Sequence, residues 1–457
     1  TLLSCQKTIV IGFIEDNRIM MQVTNPTYEA GEKIGPACER WCANVLQWHS
    51  PEKLELLKDH VIEVNQDGRI QALRPLFAGE IVEHDYRGLM IAPGFIDPHI
   101  HYPQLDVIGS AAEGLLPWLE AYTFPTESAF HDLARARQTA DKVLDELIRH
   151  GVTSASVYCT SHPNSVEAFM QASSDRRMAM MAGKVLQDRH SPDGLRDNTE
   201  QSLRDSQDLI ERWHGRSRLS YVITPRFAPT STEAQLRGCA DLAASYPGVR
   251  IQSHVAENHA EIEWVRSLFP ADRSYMAVYD RLGLLQKHSI WAHCIYIDDD
   301  DRALMREKSV FAAVCPSSNL FLGSGLFDFA MANFDWGLAS DVGGGSSFSP
   351  FRTMMCAYEI ARLQGYYLSP SRLWWHQSIG TAKALGWEDC SNGIAPGKPA
   401  DFVVIDPQAT PLLQHRWNSC STLEQKLFCL IVLGDDRHIN ETVIAGRAAK
   451  KSLSNPD

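Results

Sequence analysis

The chain has 457 residues, 44% of them hydrophobic and 22% charged, with a formal net charge of −13. That is the composition of a folded globular protein rather than a disordered one, and the length suits two domains if one is a barrel of ~250 residues. The acidic balance, without a long Lys/Arg run, argues against a nucleic-acid partner, which calls for a basic face.

No apolar stretch reaches the ~18 residues a membrane span needs. The first residues show no basic region followed by an apolar segment and a small-residue cleavage site. No membrane association is expected, and the protein reads as cytoplasmic. The 11 cysteines are odd in number and follow no zinc-knuckle or redox spacing. They are expected to be free thiols in a reducing compartment, with Cys38-x-x-x-Cys42 left open as a metal clip.

Residues 1–92 read as short strands and turns, the first part of a small β domain. Lys7 to Phe13 and Arg18 to Val23 are β-branched apolar runs. Residues 28–59 are irregular, with helical character in Pro51 to Lys58. His60 to Val64 and Arg69 to Leu73 flank Asn65-Gln66-Asp67-Gly68, the pattern of a hairpin about an Asp-Gly turn.

From Ile91 the pattern changes, and Pro93-Gly94 marks the boundary. Strand candidates are Ile91 to His101, Thr153 to Cys159, Met178 to Leu186, Ser220 to Thr224, Arg250 to His254, Ser289 to His293, Ser309 to Cys315 and Trp336 to Ala339. Amphipathic stretches between them include Asp132 to His150, Ser202 to His214, Thr232 to Tyr246 and Ala260 to Leu268. Eight such units predict an α/β fold over residues 93–390, a closed parallel (β/α)8 barrel. An open doubly wound sheet would want a glycine-rich phosphate turn after its first strand, and His99-Ile100-His101 stands there instead. From Gly393 the chain returns to β, with Phe402 to Asp406 and Ile439 to Ile444. Residues 391–457 are thus expected to complete the small domain as a β-sandwich with the N-terminal segment.

Barrel enzymes place their chemistry where strands end. The first strand ends in His99-x-His101, two residues apart and so on one face. The fourth ends in Arg226-Phe227, the fifth in His254-Val255-Ala256-Glu257, the sixth in His293 and the eighth in Asp341. His99, His101, His254 and Asp341 make a His3Asp metal set with room for water, although a lone His254 could be a core histidine and Asp341 a helix cap. A divalent ion there lowers the pKa of bound water from ~15.7 to near neutrality. Glu257 is the candidate proton carrier, and His293 is placed to hold the attacking oxygen or the substrate.

These residues carry a resemblance. P-G-F-I-D-P-H-I-H, S-H-V-A-E-N, A-H-C and S-D-V-G-G-G resemble the amidohydrolase superfamily in its aminohydrolase branch. Leu115 to Glu127 (L-L-P-W-L-E-A-Y-T-F-P-T-E), Ile223 to Phe227 (I-T-P-R-F) and Cys315 to Leu320 (C-P-S-S-N-L) resemble its guanine deaminase family more narrowly. The similarity runs from about Trp41 to Asp406, while residues 1–40 do not match the family pattern.

The resemblance implies zinc on His99, His101, His254 and Asp341, one ion per subunit. It implies contacts of Gln104, Arg226 and Phe227, with His254, to the purine, and a proton shuttle at Glu257. The implied reaction is hydrolytic deamination of guanine to xanthine and ammonia, in a homodimer. In it Glu257 protonates ring N3, Asp341 takes the water's proton and His293 steadies the oxygen at C2. The superfamily's two-metal hydrolases bridge their ions with a modified lysine at the end of strand four; here Arg226 stands there and Lys184 belongs to strand three. One metal is therefore favoured, and deamination over ring opening. Iron in place of zinc stays open, since the ligand set suits several ions. So do a nucleoside or triazine substrate and a non-catalytic barrel serving as a scaffold.

Overall fold

The computed structural model describes residues 39–387 and 389–450. The apolar runs at Lys7 to Phe13 and Arg18 to Val23, and the Cys38 half of the supposed clip, lie outside the described residues. The nine described cysteines are free. No helix among the described residues is long and apolar enough to cross a membrane.

The first strand, β1 (Glu39–Ser50), pairs antiparallel with β2 (Lys53–Val64). This corrects the helical expectation for Pro51 to Lys58. Leu54 and Leu56 face Trp48 and Leu46 across the ribbon, and cross-strand packing overrides a short stretch of helix formers. The irregular reading of residues 28–59 likewise misses β1. The Asp67-Gly68 turn leads as expected into β3 (Ile70–Pro75), and β4 (His84–Pro93) follows.

Nine parallel strands come next: β5 (Phe95–His101), β6 (Val152–Tyr158), β7 (Ala179–Gly183), β8 (Val185–Leu186), β9 (Leu219–Pro225), β10 (Arg250–Val255), β11 (Ile290–His293), β12 (Phe311–Val314) and β13 (Asp335–Leu338). With β7 and β8 counted as one interrupted strand, these are the eight predicted positions. The strand read at Ile91 to His101 is in fact two. It breaks at Gly94, where a Cβ would stand 2.4 Å from Thr153 Oγ1, so β4 serves the small sheet and β5 the barrel.

The ring closes between β5 and the chain leaving β13. Asp341 N–H donates to the His99 carbonyl (3.0 Å) and His101 N–H to that of Val342 (2.7 Å). Lower in the same seam, Gln377 Nε2 donates to the carbonyls of Ile96 (2.9 Å) and Leu338 (3.2 Å). The outer helices follow the predicted periodicity. Leu133–Arg149 is capped by Asp132, which accepts from Ala134 N–H, and buries Ala136, Ala140, Val143, Leu144 and Leu147 at i, i+3, i+4 spacing.

After the barrel come β14 (Phe402–Ile405), β15 (Ile439–Ile444) and β16 (Arg447–Ala448). They join β4, β1, β2 and β3 in one seven-stranded sheet, in the order β16-β15-β14-β4-β1-β2-β3. Both ends of the described chain therefore build the small domain. Its core holds Trp41, Val45, Ile62, Ile91, Phe402 and Val404. The return to β is not continuous, because helices Pro411–Asn418 and Leu423–Leu433 stand between β14 and β15. Leu413, Leu427, Leu430 and Ile431 bury their apolar faces in the cluster that also holds Phe351 and Trp374 of the barrel's helices.

Candidate active site

The alternation of β5 aims both its terminal histidines into the barrel mouth. His101 Nε2 lies 3.2 Å from His99 Nε2 and 3.2 Å from His254 Nε2. Asp341 Oδ1 completes the group at 3.2 Å from His99 Nε2 and 3.4 Å from His101 Nε2. His254 Nδ1–H donates to the Arg226 carbonyl (2.6 Å), which leaves a bare lone pair on its Nε2 when the ring is neutral. Burial, followed by neighbouring imidazoles, holds His101 and His254 well below the ordinary histidine pKa. Burial also lowers His99, against the pull of Asp341. Asp341 is ionised against the cost of burial by the imidazoles of His99, His293 and His101.

These donors fit a divalent cation. The bare Nε2 of His254 faces His101 Nε2 beside the Asp341 carboxylate, a cluster of electron-rich atoms that a positive charge between them would stabilise. Ligand atoms ~2.0–2.1 Å from a tetrahedral ion would lie ~3.4 Å apart, close to the separations found. Neutral imidazoles and a carboxylate are the forms that bind metal. Cys315 Sγ also comes within 4.8 Å of the His99, His293 and Asp341 donors. Burial raises its thiol well above the ordinary range and it donates to the Ala313 carbonyl, so it stays a neutral thiol, a poor ligand.

Beside the histidines, Glu257 is buried and its pKa is raised by that burial. Ser324 Oγ–H donates to its Oε1 (2.8 Å), and its Oε2 lies 3.3 Å from His293 Nε2. His293 Nδ1–H donates to Asn319 Oδ1 (2.8 Å). Burial opposes protonation of His293, but Glu257 and Asp341 carry its pKa above the ordinary value. The chain reaches these positions through left-handed backbone at Ala256 (φ 50°), His293 (φ 71°), Cys294 (φ 51°) and Asp341 (φ 52°). Each such non-glycine conformation costs about 1–3 kcal/mol and persists only where the surroundings enforce it.

A pocket opens above, lined by His101, Gln104, Arg226, Phe227, His254, Glu257, His293 and Asp341. Every residue expected at the site is there except His99, which is buried beside it. The outer wall comes from Leu115, Trp118 and Leu119, carried by a helical turn at Leu115–Trp118 and a wide π turn at Leu119–Thr123. Phe227 meets Trp264 edge-on, with ring centroids 6.0 Å apart.

Several residues that matter here were not singled out from sequence. Glu127 is fully buried and binds both Arg226 (Nη1 to Oε2, 2.7 Å) and Gln104 (Nε2 to Oε1, 2.9 Å). Glu261, raised to about 7 by burial and by Glu257, accepts the backbone N–H of Glu257 (2.9 Å). Asp97 accepts from Ser340 N–H (3.0 Å), the Ser340 hydroxyl and His99 N–H (3.3 Å), tying β5 to the end of β13. The blocks holding Glu127 and Asp97 were visible, but nothing in them says which side chain turns inward. Lys184 pairs with Asp197 (2.6 Å).

Residues 90–449 match the family model described as "Amidohydrolase family". The chain is 44% identical over 366 residues to the guanine deaminase of Escherichia coli K12, covering 79% of this chain and 83% of that one. The solved structure of E. coli guanine deaminase superposes with a TM-score of 0.87 at 38% identity, over 90% of this chain and 99% of the other. That of guanine deaminase from C. acetobutylicum with bound guanine in the active site gives 0.83 at 28% identity, over 90% and 99%.

Proposed function

This chain belongs to the amidohydrolase family, and from that premise we propose that it is an enzyme hydrolysing guanine to xanthine and ammonia at a single zinc ion. The observation that carries the reading is the meeting, in one pocket, of the His99, His101, His254 and Asp341 donors with buried Glu257 and the Arg226–Glu127–Gln104 cluster.

His99, His101, His254 and Asp341 would hold the ion. When bound, it supplies Lewis acidity that makes water nucleophilic at neutral pH. The substrate enters with C2 toward the histidines and its O6/N7 edge toward Arg226 and Gln104, whose N–H groups suit those acceptors. Phe227 and Trp118 close the pocket against bulk water. Water's oxygen bonds to C2, and Asp341 takes one of its protons. Glu257, which burial inclines to keep a proton, protonates N3, and His293 Nε2 hydrogen-bonds the oxygen growing at C2. When the C2–N bond breaks, the proton held by Asp341 leaves with the amine as ammonia. As the C2 carbonyl forms, the remaining hydroxyl proton returns to Glu257, so the net gain from water is one proton on N3 of xanthine and one on ammonia.

The test follows guanine-to-xanthine conversion by its ultraviolet change, with and without a chelator, beside metal analysis of the purified protein. Zinc near one per chain and turnover that chelation abolishes are expected. Equal or better turnover of guanosine, adenine or a triazine would move the substrate elsewhere, and a metal-free inert protein would return the scaffold reading. The proposal extends to a homodimer, which the resemblance implies and sedimentation checks.

A further inference from the structure

Glu127 is fully buried near the pocket and is not among the residues lining it. It sits behind the lining, on the helix Phe124–Ser128. Its Oε2 accepts from Arg226 Nη1 (2.7 Å), and its Oε1 from both Arg226 Nη2 (3.3 Å) and Gln104 Nε2 (2.9 Å). Arg226 is further held with its guanidinium 5.3 Å from the centre of the Phe124 ring. On the other side of Gln104, Gly343 N–H donates to Oε1 (3.3 Å). The Gly343 backbone lies so close that a Cβ there would meet the Gln104 carbonyl oxygen at 2.5 Å.

The chemistry of these contacts has one solution. An ionised carboxylate only accepts, and a backbone N–H only donates. Gln104 must therefore turn its NH2 to Glu127 and its oxygen to Gly343, and flipping the amide would set two donors against each other and an oxygen against a carboxylate. What remains to face a ligand is the second N–H of Gln104 and the unused N–H groups of Arg226. The edge offered to substrate is built of donors.

We infer that Glu127 is a positioning residue that gives this pocket its preference for a 6-oxo over a 6-amino purine, by fixing Arg226 and Gln104 as donors. The inference rests on the guanine reading above. A 6-oxo purine presents acceptors at O6 and N7, whereas a 6-amino purine presents an N–H where O6 would be. 2,6-Diaminopurine is the informative probe, because it carries the same 2-amino group on C2, with an amine in place of the oxygen at position 6 and a bare N1 in place of N1–H. Glu127→Gln keeps size and shape but puts an NH2 beside the two donors, so Gln104 gains a reason to turn its oxygen toward position 127 and to show the ligand a lone pair where an N–H stood.

The experiment measures kcat and KM for guanine and 2,6-diaminopurine on the metal-loaded enzyme, its Glu127→Gln and Glu127→Asp variants, with zinc content for each. In Glu127→Gln, KM for guanine should rise ~10-fold or more with a smaller change in kcat, the mark of lost binding rather than lost chemistry. The guanine/2,6-diaminopurine ratio of kcat/KM should fall at least ~10-fold, because a hydrogen-bonding site discriminates through its fixed donors. Glu127→Asp keeps the acceptor and should keep the ratio while raising KM. A Glu127→Gln ratio equal to that of the unmodified enzyme, or kcat falling alone, overturns the role of Glu127. If Glu127→Gln does not fold, judged by circular dichroism and zinc content, an unchanged KM in Glu127→Asp overturns it instead. Failure of the unmodified enzyme to turn over either purine overturns the guanine reading, and this inference with it.

Discussion

Glu257 and Arg226 divide the proposed chemistry between proton transfer and recognition, and single substitutions should separate the two. Glu257 is buried, held by the Ser324 hydroxyl and adjacent to His293, yet makes no part of the His3Asp group. Glu257→Gln should lower kcat by ~10²–10⁴, the usual cost of removing a positioned acid or base, with zinc content unchanged. Full turnover in that variant would remove Glu257 from the reaction. Arg226→Lys keeps a charge but cannot hold both oxygens of Glu127 in a planar fork. It should raise KM for guanine while sparing metal, and parallel loss of zinc and activity would place Arg226 in the metal site's support instead.

At the scale of elements, β5 and β13 meet in a seam without a paired ladder, where side chains and loop backbone supply the hydrogen bonds. Gln377 supplies two of its hydrogen bonds from a buried position. Gln377→Leu would leave the Ile96 and Leu338 carbonyls without that donor and should cost roughly 1–3 kcal/mol, read as a lower urea midpoint. An unchanged midpoint would mean the seam does not need it. The small sheet has its own pH signature. Glu80 is lowered from 4.5 to about 2, chiefly by Arg74, which donates to both its oxygens (2.6 and 2.8 Å). A depressed carboxylate stabilises the fold above its unfolded pKa, so this contribution should be intact above about 4.5 and vanish as pH falls toward 2. Melting temperature should accordingly fall less steeply over that window in Glu80→Gln than in the parent.

For the whole molecule, the metal group is also a clasp. His99 and His101 come from β5, His254 from β10 and Asp341 from just beyond β13, so an ion bound there would cross-link three parts of the ring. A ligand held by the folded state alone raises stability by RT ln(1 + [L]/Kd), about 4 kcal/mol at a thousandfold excess over Kd. Chelation should lower the melting temperature as well as abolish turnover, and zinc should restore both. Loss of activity at constant melting temperature would confine the metal to chemistry.

What the amino-acid order determined by itself was periodic or local. Strand-like runs recurring between amphipathic stretches placed the eight barrel strands, i, i+3, i+4 spacing placed the outer helices, and His99-x-His101 declared one face of β5. Because a parallel barrel gathers its strand ends at one rim, His254, Glu257, His293 and Asp341 could be brought together from sequence alone. Tertiary structure decided what depends on partners distant along the chain. Lys53 to Lys58 became strand because β1 lay beside it, and Pro411–Asn418 and Leu423–Leu433 became helices because the barrel's own helices offered an apolar face. Glu127 shows the same limit at the site. Its block resembled a family motif, but a carboxylate 99 residues from Arg226 and 23 from Gln104 acquires its role only when folding buries all three together and makes Glu127 the shared acceptor of the other two.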